Sequence, residues 1–118
     1  MENEINTLLK TIKTDYYTYT LRGRDTSELS ETNRKMIREF NDNLTANYGQ
    51  KYIKIVKGDG CSQSVWGFVV NTDTDKVFQR GDILKAAGWA APARNKPRGN
   101  ILKGDFSWVR WTGPEYLK

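Results

Sequence analysis

The chain has no histidine and one cysteine, Cys61, among its 118 residues. A single thiol cannot close an internal disulfide, so a disulfide-stapled secreted scaffold is excluded. Without histidine, the usual Cys/His zinc sites and every Ser-His or Cys-His nucleophile arrangement are excluded too. Any catalysis would rest on Asp, Glu, Lys or Tyr, with at most a hard cation held by carboxylates. The acids are scattered, and Asp73 and Asp75 belong to a turn-like NTDTD. The expectation is therefore a protein that is not an enzyme and holds no metal or cofactor. No apolar run approaches the roughly 20 residues that cross a bilayer, and the acidic start MENEIN is unlike the basic opening of a signal peptide. The expected location is cytoplasmic, without membrane contact.

What is present suits a globular domain. A chain of this length supports one hydrophobic core and is too short for two well-packed ones, so residues 1–118 are read as a single domain. Fourteen aromatic side chains are available to fill it. Ile5, Leu8, Leu9 and Ile12 recur at helical spacing and predict a short amphipathic helix over 3–13. In YYTYTL, Tyr17, Tyr19 and Leu21 alternate with Thr18 and Thr20, a period-two pattern that predicts a strand. Asp25 and Glu28 have capping-box spacing, and Leu29, Met36, Ile37, Phe40, Leu44 and Tyr48 form an apolar stripe ending at Gly49. That predicts one long helix over 26–48. KYIKIVKG and SVWGFVV, joined by GDGCSQ, predict a β-hairpin; KVFQRGDIL predicts a third strand, bulged or broken near Arg80-Gly81, and FSWVRW (106–111) a last one. The expected fold class is α+β: a mainly antiparallel sheet of about four strands covered by the long helix, with 1–49 as a helical part and 50–118 as a β-rich part.

Net charge is +5, and its location matters more than its size. Residues 1–79 hold eleven basic and eleven acidic side chains, whereas 80–118 hold eight basic and three acidic, so the entire excess lies in the last third. Such asymmetry points to one surface that meets an anion. The segment WAAPARNKPRGN, within the basic loop 85–103, has no acid, and Pro92, Pro97 and Gly99 make it unlike a helix or a plain strand. The reading is an ordered Pro/Gly loop that Trp89 pins to the core. Arg94, Lys96 and Arg98 fall at alternate positions, so an extended backbone would turn all three toward one anion, with Lys85 and Lys103 flanking. Asn95, Asn100 and the backbone near Gly99 would add neutral hydrogen bonds. In the last predicted strand, Phe106, Trp108 and Arg110 share one face and Ser107, Val109 and Trp111 the other, which predicts an exposed tryptophan beside an arginine. The candidate contacts with nucleic acid or an anionic partner are thus Lys85, Arg94, Asn95, Lys96, Arg98, Lys103 and Arg110, with Trp89 and Trp108 as stacking or hot-spot residues.

Three other signals are weak. GDGCSQ lacks the third glycine and the lysine of a phosphate loop, Arg80-Gly81-Asp82 is a chance tripeptide, and nothing near Cys61 lowers its pKa.

The segments SVWGFVV, GDILKAAGWAAPARNKPRGNI and WTGPEYL together resemble a family of small phage-encoded proteins. Its pattern is Ser-Val plus an aromatic, Gly-Asp-(Ile/Val)-Leu-Lys-Ala, Trp-x-Ala-Pro-Ala-(Arg/Lys), Arg-Gly-Asn-Ile and a late Gly-Pro, spanning residues 50–118. This chain departs from the pattern at Lys96-Pro97, where the family's loop runs on without a second proline. The resemblance implies a phage context, and no catalytic role carries over from it. A phage-encoded binding protein in the host cytoplasm that contacts nucleic-acid backbone is the leading expectation. The alternative is a phage inhibitor that binds an acidic surface of a host or defence protein.

Overall fold

The computed structural model describes residues 1–22, 27, 29–58 and 63–115. It is an α+β architecture: helix α1 (Glu2–Leu21) and helix α2 (Glu31–Asn43), then a four-stranded antiparallel sheet in the order β1 (Thr45–Tyr48), β2 (Tyr52–Lys57), β3 (Ser64–Val70), β4 (Ile83–Lys85). A 3-10 turn, Ile101–Lys103, and a two-stranded ribbon, β5 (Val109–Arg110) with β6 (Gly113–Pro114), follow the sheet. The β2–β3 hairpin stands where the alternation predicted it.

The element covering the sheet is α1, not the second helix. Ile5, Leu8, Ile12 and Tyr16 follow each other three or four residues apart and are all buried. They pack with Leu44, Ile53, Ile55, Trp66, Val69, Ile83, Ile101 and Val109 in the main core. Full burial of each aliphatic member is worth about 1.5–3 kcal/mol. The predicted strand at 17–21 is the last turn and a half of this helix. Tyr16 decides the matter: its ring meets Phe40 at 4.2 Å and Trp111 at 5.0 Å, which extends the 3.6-residue period past the point where local Tyr/Thr alternation would end it. The threonines satisfy their hydroxyls on the preceding turn, Thr11 on the Thr7 carbonyl at 2.8 Å and Thr20 on that of Tyr16 at 2.9 Å.

The predicted helix over 26–48 is shorter at both ends. The proposed Asp25/Glu28 cap lies outside the described residues; the observed N-cap is Ser30, whose Oγ accepts from the Asn33 N–H at 3.1 Å. After Asn43 the chain turns extended, because 45–48 pairs with β2 and Gly49 serves the β1–β2 turn instead of stopping a helix. None of the residues of α2 is buried, and Met36 is exposed.

β2 and β3 carry a bulge: Ile55 lies opposite Gly67 and Val56 opposite Val65, so Trp66 is the extra residue. The bulge turns Trp66 into the main core, where its Nε1 donates to the Arg110 carbonyl at 2.6 Å and ties the terminal ribbon to the sheet. Gly67 is needed beside it, since a Cβ there would lie 2.9 Å from the Leu84 oxygen and 3.2 Å from Pro114. The other face of the sheet holds a smaller cluster, Phe68, Val70, Phe78 and Leu84, edged by Tyr52, Val65 and Ala86.

The third and fourth predicted strands are mostly not strands. Lys76–Gln79 is wound around Asp75, whose Oδ1 accepts from the Val77 and Phe78 N–H groups at 2.8 and 2.9 Å, so regular pairing starts only at Ile83. Of FSWVRW only Val109–Arg110 pairs, with β6. Phe106, Val109 and Trp111 all pack against the main core, which a flat strand with two distinct faces would not allow.

Candidate nucleic-acid interface

The basic loop is ordered, as its prolines and glycines suggest. It folds back along the outer edge of β4: Ala93 N–H donates to the Lys85 carbonyl (2.7 Å), Arg98 N–H to that of Ile83 (2.7 Å), and Ile83 N–H to that of Gly99 (2.9 Å). Ala87 and Gly88 both donate to the Ala91 carbonyl, closing a tight turn with Trp89 in it. Gly99 has φ +104°, and a Cβ on it would stand 2.6 Å from the Asp105 oxygen. Next to it, Asn100 is a buried knot. Its Nδ2 donates to the Arg80 carbonyl and Asp82 Oδ1, and its Oδ1 accepts from the Leu102 and Lys103 N–H groups.

The three alternate cations do not face one anion. Arg98 is 2% exposed and turned inward, its Nη1 donating to Asn95 Oδ1 (2.7 Å) and the Lys96 carbonyl (2.8 Å), so it staples its own loop. Burial lowers its pKa from the ordinary arginine value. Asn95 is spent on this staple and on the Lys96 N–H, and Asn100 on the knot, so their oxygens serve the loop. Arg94 turns the other way, over the smaller cluster. It donates two parallel bonds to Asp75 at 3.0 and 3.1 Å and a third to the Tyr52 hydroxyl, with its guanidinium 4.8 Å from the Phe78 ring centroid. Lys96 is exposed, as is Arg94 despite its bonds, whereas Arg98 is buried. The alternation fails at the bend at Asn95, whose Oδ1 accepts from the Lys96 N–H and from Arg98 Nη1 and so turns Arg98 back onto the loop.

The flanking candidates are dispersed. Lys85 is half-buried and donates to the Pro114 carbonyl at 2.9 Å, with burial lowering its pKa. Lys103 reaches Gln79 at 2.7 Å, and Arg110 pairs with Glu115 at 2.6 Å beside the terminal ribbon. Trp108 is half-buried just before the terminal ribbon, and Trp111 stacks on Tyr16 with Tyr19 tilted against it.

Trp89 does not pin the loop. It is 53% exposed, with the Lys54 ammonium 4.1 Å from its ring centroid. Lys54 stands on β2 two residues from Tyr52 and therefore on the same sheet face, the face over which Arg94 lies. Beyond Tyr52 lies an open concavity of about 640 Å³, lined among others by Lys51, Thr72, Thr74, Asp75, Lys76 and Arg94. Three cations thus surround one carboxylate. That carboxylate is held well below the usual range, first by the Arg94 guanidinium and then by the Phe78 and Val77 N–H groups. The surface comprises an exposed indole, a lysine on its ring and, around the concavity, Lys51, Lys76 and Arg94. Lys51, Lys54 and Lys76 were missed by concentrating on the net charge of the last third. The period-two pattern of KYIKIVK already placed Tyr52 and Lys54 on one face.

A family model matches residues 2–114, nearly the whole chain. The protein belongs to the family of unknown function DUF7717. No curated protein and no solved structure matches it. Among the described residues, no group of three His, Cys, Asp or Glu side chains is placed to hold a metal ion, and no helix is long and apolar enough to cross a membrane.

Proposed function

We propose that this DUF7717 protein is a non-enzymatic, phage-encoded binding protein that contacts a nucleic-acid backbone, and that the contact surface is the sheet face around Trp89. The observation that carries the reading is the half-exposed Trp89 ring with Lys54 on it, on the face that leads to the Lys51, Lys76 and Arg94 concavity. An exposed indole offers a stacking plane to any base, and cations at its side offer the phosphates their counter-charge. Lys96, exposed on the loop, is a further cation free to meet phosphate. Lys85, Arg98, Lys103 and Arg110 stand outside this surface, held by the loop and the terminal ribbon.

Fluorescence polarisation with labelled single-stranded DNA, duplex DNA and RNA at two salt concentrations tests the reading. With about four phosphates neutralised, log affinity falls against log salt with a slope of roughly −3 to −4. Absence of binding, or a flat salt response, overturns it and makes an acidic host-protein surface the partner to seek.

A further inference from the structure

The two edges of the sheet are treated differently. The outer edge of β4 is covered by residues 92–100 of the basic loop, through the Ala93, Arg98 and Gly99 backbone bonds. The outer edge of β1 is bare: β1 pairs only with β2, and no other described residue takes its backbone groups. Gly49 N–H donates to the Tyr52 carbonyl at 2.9 Å, which makes 49 and 52 a hydrogen-bonded pair. Antiparallel pairs alternate, so Asn47–Lys54 and Thr45–Val56 are also bonded pairs, while Ala46 and Tyr48 turn both N–H and C=O outward from the sheet. Edge strands are commonly guarded by a charge, a proline or a bulge. Thr-Ala-Asn-Tyr has none of these.

The side chains of Ala46 and Tyr48 project toward α1. A groove of about 640 Å³ opens there, between the strand and the first half of the helix, lined by Glu2, Ile5, Asn6, Leu9, Ala46 and Tyr48, with Thr45 at its end. A strand added to β1 would direct every second side chain into this groove. Its charge is distinctive in so basic a chain. The concavity near Arg94 carries three cations, and the one between α1 and the terminal ribbon has Lys10 and Arg110 beside Asp15; this groove has Glu2 and no base.

We propose that β1 and the adjoining groove bind an extended peptide of a partner protein as a fifth strand, with an apolar side chain among Ile5, Leu9 and Ala46 and a Lys or Arg of the peptide beside Glu2. The backbone groups of Ala46 and Tyr48 supply the affinity common to any strand, and the groove and Glu2 select the sequence. This surface lies on the α1 side of the sheet, opposite Trp89, so the inference stands or falls separately from nucleic-acid binding.

The test selects a displayed library of short random peptides on the full-length protein, then titrates a labelled consensus peptide. The expected consensus alternates apolar positions and carries a neighbouring Lys or Arg. Ala46→Pro removes a donor that points away from β2, so the melting temperature stays near that of the parent while peptide affinity falls by about tenfold or more. Glu2→Lys gives a comparable loss. Should Ala46→Pro unfold, amide exchange in the parent protein decides: the Ala46 and Tyr48 amides slow when the peptide is added. No enrichment, a consensus without alternation, equal affinity for a folded Ala46→Pro, unprotected Ala46 and Tyr48 amides, or a dimer closed through β1 would each overturn the proposal.

Discussion

Arg94 closes on Asp75 through two parallel bonds, Nη1 to Oδ2 at 3.0 Å and Nη2 to Oδ1 at 3.1 Å. The same carboxylate oxygen Oδ1 caps the turn at Val77 and Phe78. The basic loop and the 72–78 loop are therefore joined at one carboxylate, and Phe78 is delivered to the smaller core cluster by that turn. Arg94→Lys should lower the melting temperature and loosen both loops, because an ammonium cannot reproduce the two-pronged geometry. Thermal melts with amide exchange at Val77 and Phe78 check this; unchanged protection there would show that the turn holds without Arg94.

The pH dependence follows from the same pair. Asp75 is depressed in the folded state, so its contribution to stability is complete above the unfolded aspartate value of about 3.9 and is lost as pH falls below it toward the folded value. Asp75→Asn lacks that contribution at every pH. The difference in melting temperature between parent and variant should therefore be constant above about pH 5 and narrow below about pH 4. A gap that stays constant down to pH 2 would contradict the assignment.

Arg98 and Arg94 were equivalent in the sequence and are opposites in the fold. Replacing Arg98 by Glu places a carboxylate against the Asn95 side-chain oxygen and the Lys96 carbonyl, all acceptors, in a buried position. The expected cost is on the order of 3 kcal/mol or more, the penalty for a buried charge without a partner. Chemical denaturation of Arg98→Glu measures it, and Lys96→Glu, at an exposed position, should change stability by less than about 0.5 kcal/mol.

What the sequence made legible was periodicity over long stretches and the character of the loop. The β2–β3 hairpin, the antiparallel sheet and an ordered Pro/Gly loop follow from alternation and turn residues. The helix boundaries did not, because Tyr16 and Leu44 are placed by rings and strands distant in sequence: Phe40 and Trp111 for the first, the main core for the second. The candidate site was half legible. Charge counting located the basic loop but cannot distinguish a cation that is turned inward, like Arg98, from one that stays in water, like Lys96. Nor did it find Lys54, which joins the surface because β2 and the loop share a sheet face, or Lys51, which precedes β2 and turns its ammonium over the Tyr52 ring at 5.5 Å.

The tryptophans separate folding from binding. Trp66 is 1% exposed and its Nε1 is bonded at 2.6 Å, so Trp66→Ala should cost about 3–5 kcal/mol. Trp89 is half in water and touches Lys54, so Trp89→Ala should leave the denaturation midpoint nearly unchanged. If a base stacks on that ring, the same substitution weakens binding of single-stranded nucleic acid by about 1–3 kcal/mol, roughly five- to 140-fold in affinity, with the salt slope preserved because no phosphate contact is lost. Lys51→Ala combined with Lys76→Ala should do the converse and flatten the slope by one to two phosphate contacts, about one to two units, at an unchanged melting temperature. Titrations of the two variants at several salt concentrations thus read stacking and charge separately. A Trp89→Ala protein that binds as tightly as its parent would remove the indole from the interface.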